Sequence, residues 1–440
     1  MPPSLGLSTA LLAATLITTA SAGAATSLHR VDLTFRSRVA HRHSGQDYKT
    51  VELKECPRAR ASKHFATCDQ PCTTVNTEPV SLAYVDTTAS GESTVETVQA
   101  VLAAAWAGFP DKVDLWLRTG CHGARELKYL VQSVELFWPR GIGSIVLVLD
   151  DNDRPIAHHM VPNASRHDWL VRYEHVPCMP ARVFNQVSYM MADHYSTADV
   201  IVTIDSDCVL HSPVTPRLLF RDGKIRLPYS RAFQAGMWES LVEFFIGPGT
   251  FKFHTMVSQP VTFHRSTLAA FREWYKAAHN GTCYLDDVAR ALDEVDPGLM
   301  GAFCWMCQLG GFLSTTGITA DLYDFVDLDA PTPHPYQRLS VHTTYELAPG
   351  ADFYATSELA VEQGLCLALG AAVLPQCAGV DTGYVRERMF KYELYNWRAD
   401  AAAKNATVEA YVGEIRQLLQ DAAGRWRPGR RRSLERGRPS

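Results

Sequence analysis

The sequence predicts an α/β fold built on a largely parallel sheet flanked by helices, and three observations carry that prediction. The first is a strand-helix-strand unit: VDLWLRT from Val113 to Thr119, ARELKYLVQSVELFW from Ala124, and SIVLVLDD from Ser144 to Asp151. The outer two runs read as buried strands. Between them the apolar residues recur with the period of a helix. The second observation is the β-branched run ADVIVTIDSD, Ala198 to Asp207, preceded by a helical pattern from about Val183 to Tyr195. The third is the alternation itself, with a further short strand expected at Trp169 to His175, because strands alternating with helices make parallel sheets.

The remaining elements follow in chain order. Residues 1–24 read as a signal peptide, with an apolar core from Leu5 to Ile17 and the small residues Ala20-Ser21-Ala22 at a cleavage site. A signal anchor is the rival, and only an uncleaved anchor would hold the protein on a membrane. Lys and Arg occur only after the segment, which favours cleavage under the positive-inside bias. Residues 25–110 read as an N-terminal extension with a Ser/Thr-rich run from Thr73 to Thr97 and one apolar helix-like stretch, TVQAVLAAAW. The main domain is expected over 111–395, helix-rich and aromatic from Gly236 to Leu313, with ITADLYDFVDL returning to strand. A C-terminal helix is expected within 396–424, after Ala406, and a disordered basic tail over 425–440.

At 440 residues with 46% hydrophobic content, the chain can bury a large core. Its net charge of -5, with Lys and Arg dispersed outside the tail, argues against nucleic acid as a partner. The sequons Asn163-Ala164-Ser165, Asn280-Gly281-Thr282 and Asn405-Ala406-Thr407 agree with a secretory route through the ER and Golgi lumen or out of the cell. The 11 Cys residues suggest disulfides in that oxidising compartment, and the odd count leaves at least one thiol unpaired within the chain. Cys56, Cys68 and Cys72 are expected to brace the region before the main domain. Cys304 and Cys307 have metal-ligand spacing but no second pair to complete a zinc site, so a disulfide or structural role fits them better.

The chemistry concentrates where the run Val200 to Ile204 ends in Asp205-Ser206-Asp207. Alternate side chains of an extended segment point the same way, so Asp205 and Asp207 can converge. Converging carboxylates repel unless a cation or proton lies between them. Mg²⁺ or Mn²⁺ suits such a pair and keeps sites open for phosphate oxygens. A solvated turn is the ordinary alternative for DxD, and its place at the end of a buried run argues against that.

A strand ending in DxD, preceded by a strand-helix-strand unit whose second strand ends in acids, resembles the nucleotide-sugar-dependent glycosyltransferases of the GT-A fold, a Rossmann-like architecture. The blocks SVELFWPRGIGSIVLVLDD, ADVIVTIDSDCVL and SPVTPRLLFRDGKIRLPY resemble a glycosyltransferase-like group within that superfamily, over roughly Lys112 to Leu328. The resemblance implies that Asp205 and Asp207 bind the divalent ion bridging the diphosphate of a nucleotide-sugar donor, with Asp205 also near the sugar or ribose. It implies that Arg118, Thr119, Asp150 and Asp151, at strand carboxyl ends, lie where the nucleotide is held. A late His often completes the metal shell in such enzymes. His264 and His342 are both available, and His342 stands at the more suitable distance along the chain. Transfer with inversion would need an acceptor-activating carboxylate. Glu239, Glu243, Asp286 and Asp287 are available, and Glu239 is the nominated base. The acceptor implied is a hydroxyl of a glycan or glycoprotein.

Two other classes fit parts of the pattern. DxDxVL after an apolar strand is the form of a haloacid-dehalogenase-type phosphatase motif, with Asp205 as nucleophile and Asp207 as acid/base. That arrangement usually opens its domain and needs a downstream Lys, for which no position is convincing. A non-catalytic secreted carbohydrate-binding protein would use the aromatics of MWESLVEFFIGPGTFKF as a stacking surface, although aromatics equally suit a core. Intact Asp205 and Asp207 weigh against that reading.

Overall fold

The computed structural model describes residues 48–49, 51–68, 94–160, 165–231, 236–257, 259–300, 303–329, 338–344, 346–389 and 401–425. The expected signal segment, Cys72, Asn163 and the basic tail past Arg425 lie outside the described residues. The strands are β1 (Tyr48–Lys49), β2 (Val113–Thr119), β3 (Ile145–Asp150), β4 (Trp169–Glu174), β5 (Val200–Asp205), β6 (Cys208–Leu210), β7 (Phe220–Arg221), β8 (Lys224–Tyr229), β9 (Val261–His264), β10 (Tyr323–Asp327) and β11 (Ser340–His342). The α-helices are α1 (Pro57–Ala61), α2 (Thr94–Ala105), α3 (Ala124–Phe137), α4 (Ala181–Met190), α5 (Pro216–Leu219), α6 (Gly236–Ile246), α7 (Arg265–Ala278), α8 (Tyr284–Glu294), α9 (Pro297–Met300), α10 (Trp305–Thr316), α11 (Phe353–Leu369), α12 (Gly383–Arg388) and α13 (Ala401–Arg425).

The central sheet has the order β1-β4-β3-β2-β5-β9. Its first five strands are parallel and β9 runs antiparallel along β5. The chain therefore builds outward from β2 through β3 to β4, then returns to the other side of β2 as β5. In open α/β sheets that reversal leaves a crevice at the strand carboxyl ends, where ligands bind. Here it lies between Thr119 of β2 and Asp205 of β5.

The sequence explains the interior of this sheet. All of β2 is buried, and its single carboxylate, Asp114, is satisfied by the Ser144 amide at 2.7 Å and the Ser196 hydroxyl at 2.8 Å. That removes the penalty of burying a charge without partners. Gly143 is required by close approach: a Cβ there would overlap the Val113 carbonyl and the Asp114 carboxylate. Two small sheets flank the main one, β10-β8-β7 and the antiparallel pair β11-β6.

The described parts of residues 25–110 are built into this unit rather than appended to it. β1 adds an outer strand to the central sheet beside β4. The helix α2 buries Val98, Val101 and Leu102 completely. Its Gln99 amide donates to the carbonyls of Glu135, Leu136 and Trp138 at 3.3, 3.3 and 2.8 Å, satisfying acceptors that the end of α3 leaves open. Disulfides Cys56–Cys283 and Cys68–Cys178 tie the segment to α8 and to the loop after β4. These cysteines therefore brace the segment against the domain, not against each other. Cys304–Cys307 and Cys366–Cys377 are further disulfides.

Two helix boundaries differ from the sequence reading. The helix α4 stops at Met190 and passes into a short 3₁₀ turn at Ala192–His194, the Met191 amide bonding back to Ser188 and Tyr189. The last helix starts at Ala401, ahead of Ala406, because tertiary packing rather than local signals sets its limits. It lies against α2 and α11, with Val408, Tyr411, Val412 and Ile415 buried. No described helix is long and apolar enough to cross a membrane.

Candidate functional site

The Asp205-Ser206-Asp207 turn joins β5 to β6 at the carboxyl edge of the sheet, beside the crevice. Arg118 and Asp205 are register partners across β2 and β5. A Cβ on Gly123 would sit 2.5 Å from the Thr119 hydroxyl and 3.3 Å from that of Ser206. The turn entering α3 therefore passes directly over the DxD turn and needs glycine for the approach.

Asp205, Asp207 and His342 converge. His342 ends β11, directly opposite Cys208 in the antiparallel pair with β6, and its Nε2 lies 3.7 Å from Asp205 Oδ2 and 3.4 Å from Asp207 Oδ1. Asp205 is held by the Tyr189 hydroxyl at 2.5 Å and the Gln259 amide at 3.0 Å. The Tyr189 ring is itself fixed by stacking on Trp305, 5.1 Å between centroids and 2° between planes. Asp207 accepts from the Thr344 hydroxyl at 2.7 Å, while its carbonyl accepts from Thr343. The His342 amide donates to Glu346, which forms a two-armed pair with Arg338. The three converging side chains keep 34%, 28% and 18% of their surface open to solvent, in the order Asp205, Asp207, His342. A small ligand can reach them.

The electrostatics of the cluster follow from this geometry. Burial works to raise the Asp205 carboxyl, but His342, Tyr189 and Gln259 together hold it below the usual carboxylate range. Burial pushes the Asp207 carboxyl up, and the neighbouring charge of Asp205 adds to this against the pull of His342. Burial works to lower His342, yet the two carboxylates outweigh it and raise its basicity. When protonated, the imidazole supplies the positive charge that two converging carboxylates require. It holds the place of a cation.

A second acidic group lies two and three strands away from β5, at the ends of β3 and β4. Arg118 pairs with Asp150, donates to Asn185, reaches Glu174 at 3.1 Å and lies 4.1 Å over the Phe184 ring. Glu174 is buried and also receives the hydroxyls of Ser188 and Tyr195 at 2.6 and 2.8 Å. The guanidinium is therefore spent inside the protein, where it orients Asp150. Asp153 accepts from the Cys121 amide at 3.0 Å, and burial together with the nearby Asp150 pushes its carboxyl up to about 6. One carboxylate oxygen of Asp151 is buried with no hydrogen-bond partner among the described residues. Thr119 lines the turn above Ser206 as described.

Other residues nominated from sequence fall elsewhere. His264 caps the start of α7 and pairs in register with Val200, the first residue of β5. It therefore stands at the opposite edge of the sheet, roughly 17 Å of strand from Asp205. Among the described residues, no hydrogen bond or ion pair joins Glu239 on α6 to Asp205, Asp207 or His342. Glu243 closes its own loop by accepting from the Gly249 amide at 2.7 Å. Asp286 accepts from the Ala59 amide, and Asp287 from the Tyr275 hydroxyl while pairing with Arg290, so both are structural.

Sequence reasoning missed Tyr189, Gln259 and Thr344, which hold the two carboxylates, and Glu174 and Asp153, which accompany Asp150. Their role depends on the pairing of distant segments, and only Glu174, closing an apolar strand like Asp150 and Asp205, carried a local signal. No protein-family model matches the chain, and no curated protein matches it.

Proposed function

We propose that the protein is a metal-dependent glycosyltransferase of GT-A type, which moves a sugar from a nucleotide-diphosphate donor to a hydroxyl of a glycan or glycoprotein in the secretory pathway. One observation carries this reading: Asp205, Asp207 and His342 converge, partly open to solvent, at the crevice where the strand order reverses. Two carboxylates and an imidazole suit a divalent ion such as Mn²⁺ or Mg²⁺. Bound there, the ion supplies Lewis-acid neutralisation of the leaving diphosphate.

The chain's own residues do the rest. Tyr189 and Gln259 fix the Asp205 carboxylate in one orientation, and Thr344 does the same for Asp207. Such outer partners keep ligands in place without reorganisation when the donor arrives. Thr119 and Asp150 border the crevice where the nucleoside would lie, with Asp150 positioned by Arg118. The disulfides support the secretory assignment, since such bonds persist in oxidising compartments.

The phosphatase alternative gains nothing from the geometry. Both Asp205 oxygens are engaged by neighbours, and β5 follows four earlier strands of the same sheet rather than opening it. The test is hydrolysis of a panel of nucleotide-sugars by the purified protein with Mn²⁺, with Mg²⁺ and with a chelator. Release of nucleoside diphosphate from one donor, abolished by the chelator, is expected. Phosphate release from phosphomonoesters with no nucleotide-sugar turnover would refute the proposal.

A further inference from the structure

Cys208 immediately follows the DxD turn. Its side chain is fully buried and unpaired, whereas every other described cysteine is in a disulfide. It is not an isolated thiol. Antiparallel pairing sets Cys208 directly opposite His342, and directly opposed residues project to the same face of a sheet. The sulfur, a carboxylate oxygen of Asp207 and a ring nitrogen of His342 all lie within 4.8 Å of one another. That is a mixed sulfur, oxygen and nitrogen donor set around one point.

We infer that Cys208 is a further ligand of the cation held by Asp207 and His342, and that the site accordingly favours a thiophilic divalent ion of the zinc, cobalt or cadmium class over Mg²⁺. The inference rests on the metal site of the proposed function and adds the ion's class to it. Oxygen-only sites suit Mg²⁺ and Mn²⁺, whereas thiolate and imidazole ligands select softer metals. Zinc shells are commonly assembled from Cys, His and Asp.

A thiol that coordinates a cation loses its proton outright. Binding therefore replaces the S–H bond with a metal–sulfur bond and releases the thiol proton to solvent, together with the proton of His342 when its imidazole is protonated, with no change of oxidation state. Burial of the sulfur also protects it from oxidants and from pairing with other thiols, so it remains available as a ligand in an oxidising lumen.

Titration of the full secreted chain with Co²⁺, followed by absorbance and by thermal melting in parallel, tests the inference. A near-ultraviolet sulfur-to-cobalt charge-transfer band should saturate together with the visible cobalt bands. Cys208→Ser and Cys208→Ala should each lose the near-ultraviolet band and bind Cd²⁺ about 10- to 100-fold more weakly, with Mg²⁺ binding changed far less. The wild-type spectrum decides the point even if neither variant folds. Visible cobalt bands without the charge-transfer band would overturn thiol ligation while leaving the metal site intact. Retention of the band in folded Cys208→Ala would overturn it too. No spectral or melting response to Co²⁺, Mn²⁺ or Mg²⁺ would overturn the metal site itself, and this inference with it.

Discussion

Two acidic clusters stand at the same edge of one sheet, and they are neutralised in opposite ways. At the ends of β3 and β4, Asp150 and Glu174 share Arg118, a permanent cation that fills the space between them and packs on Phe184. At the end of β5, Asp205 and Asp207 share His342, at the longer distances of 3.7 and 3.4 Å. An arginine cannot give up its charge, so the first cluster is closed. A histidine can release its proton, so the charge at the second is not fixed. Acidic residues at strand ends are therefore held by a fixed charge in one place and by a titratable one in the other.

The largest expected effect separates the clusters by function. Asp207→Ala should lower metal-dependent donor turnover by about 10³-fold or more, the equivalent of several kcal/mol of lost charge stabilisation. Its unfolding free energy, measured in urea, should stay within about 1 kcal/mol of wild type, because the side chain is partly exposed and like-charge repulsion is relieved. Arg118→Ala should do the reverse to stability. Leaving Glu174 and Asp150 without their cation should cost about 3–5 kcal/mol in the same urea assay. Equal losses of stability from both variants would erase the distinction.

A smaller effect concerns pH. The Asp153 carboxyl is raised to about 6 by burial and the charge of Asp150, so the fold favours its protonated form. Its contribution is present below the ordinary carboxylate range and is lost as pH rises through about 6. Wild-type stability should fall by about 2 kcal/mol relative to Asp153→Asn between pH 4 and 6, measured by chemical denaturation across that window. A flat difference would show that Asp153 is not perturbed. The smallest effect is that of Tyr189→Phe, which removes one hydroxyl donor from Asp205. It should cost about 1 kcal/mol of stability and about tenfold in metal affinity, read by denaturation and calorimetry.

The fold was legible wherever burial writes a local pattern. The strands β3 and β5 stand out because parallel strands covered on both faces read as near-continuous apolar runs, β2 and β4 less so because charged residues interrupt them, and α3 because its apolar period is regular. Asp205 and Asp207 were legible for the same reason, as carboxylates ending such a run. His342 could be named only by its distance along the chain, since its partner strand β6 lies more than a hundred residues earlier. The support given by Tyr189, Gln259 and Thr344 was not legible, because each comes from a different element whose placement depends on the whole fold. The role of Arg118 was legible in position but not in partner: a strand-end arginine reads equally well as a phosphate contact or as the internal cation it is here. The integration of α2 was hidden likewise, since Gln99 acts on carbonyls of α3 that no local sequence feature announces.

The most direct test of the central claim is a thermal-shift measurement of the full chain against nucleoside diphosphates and nucleotide-sugars, with Mn²⁺ and with a chelator, in wild type and His342→Ala. A ligand that binds only the folded state at about 100 times its dissociation constant stabilises by about 2.7 kcal/mol. The account predicts a clear upward shift for one nucleotide in wild type, present only with the metal and diminished in His342→Ala. A nucleotide shift of equal size in the chelator, or no shift with any nucleotide and metal, would contradict it.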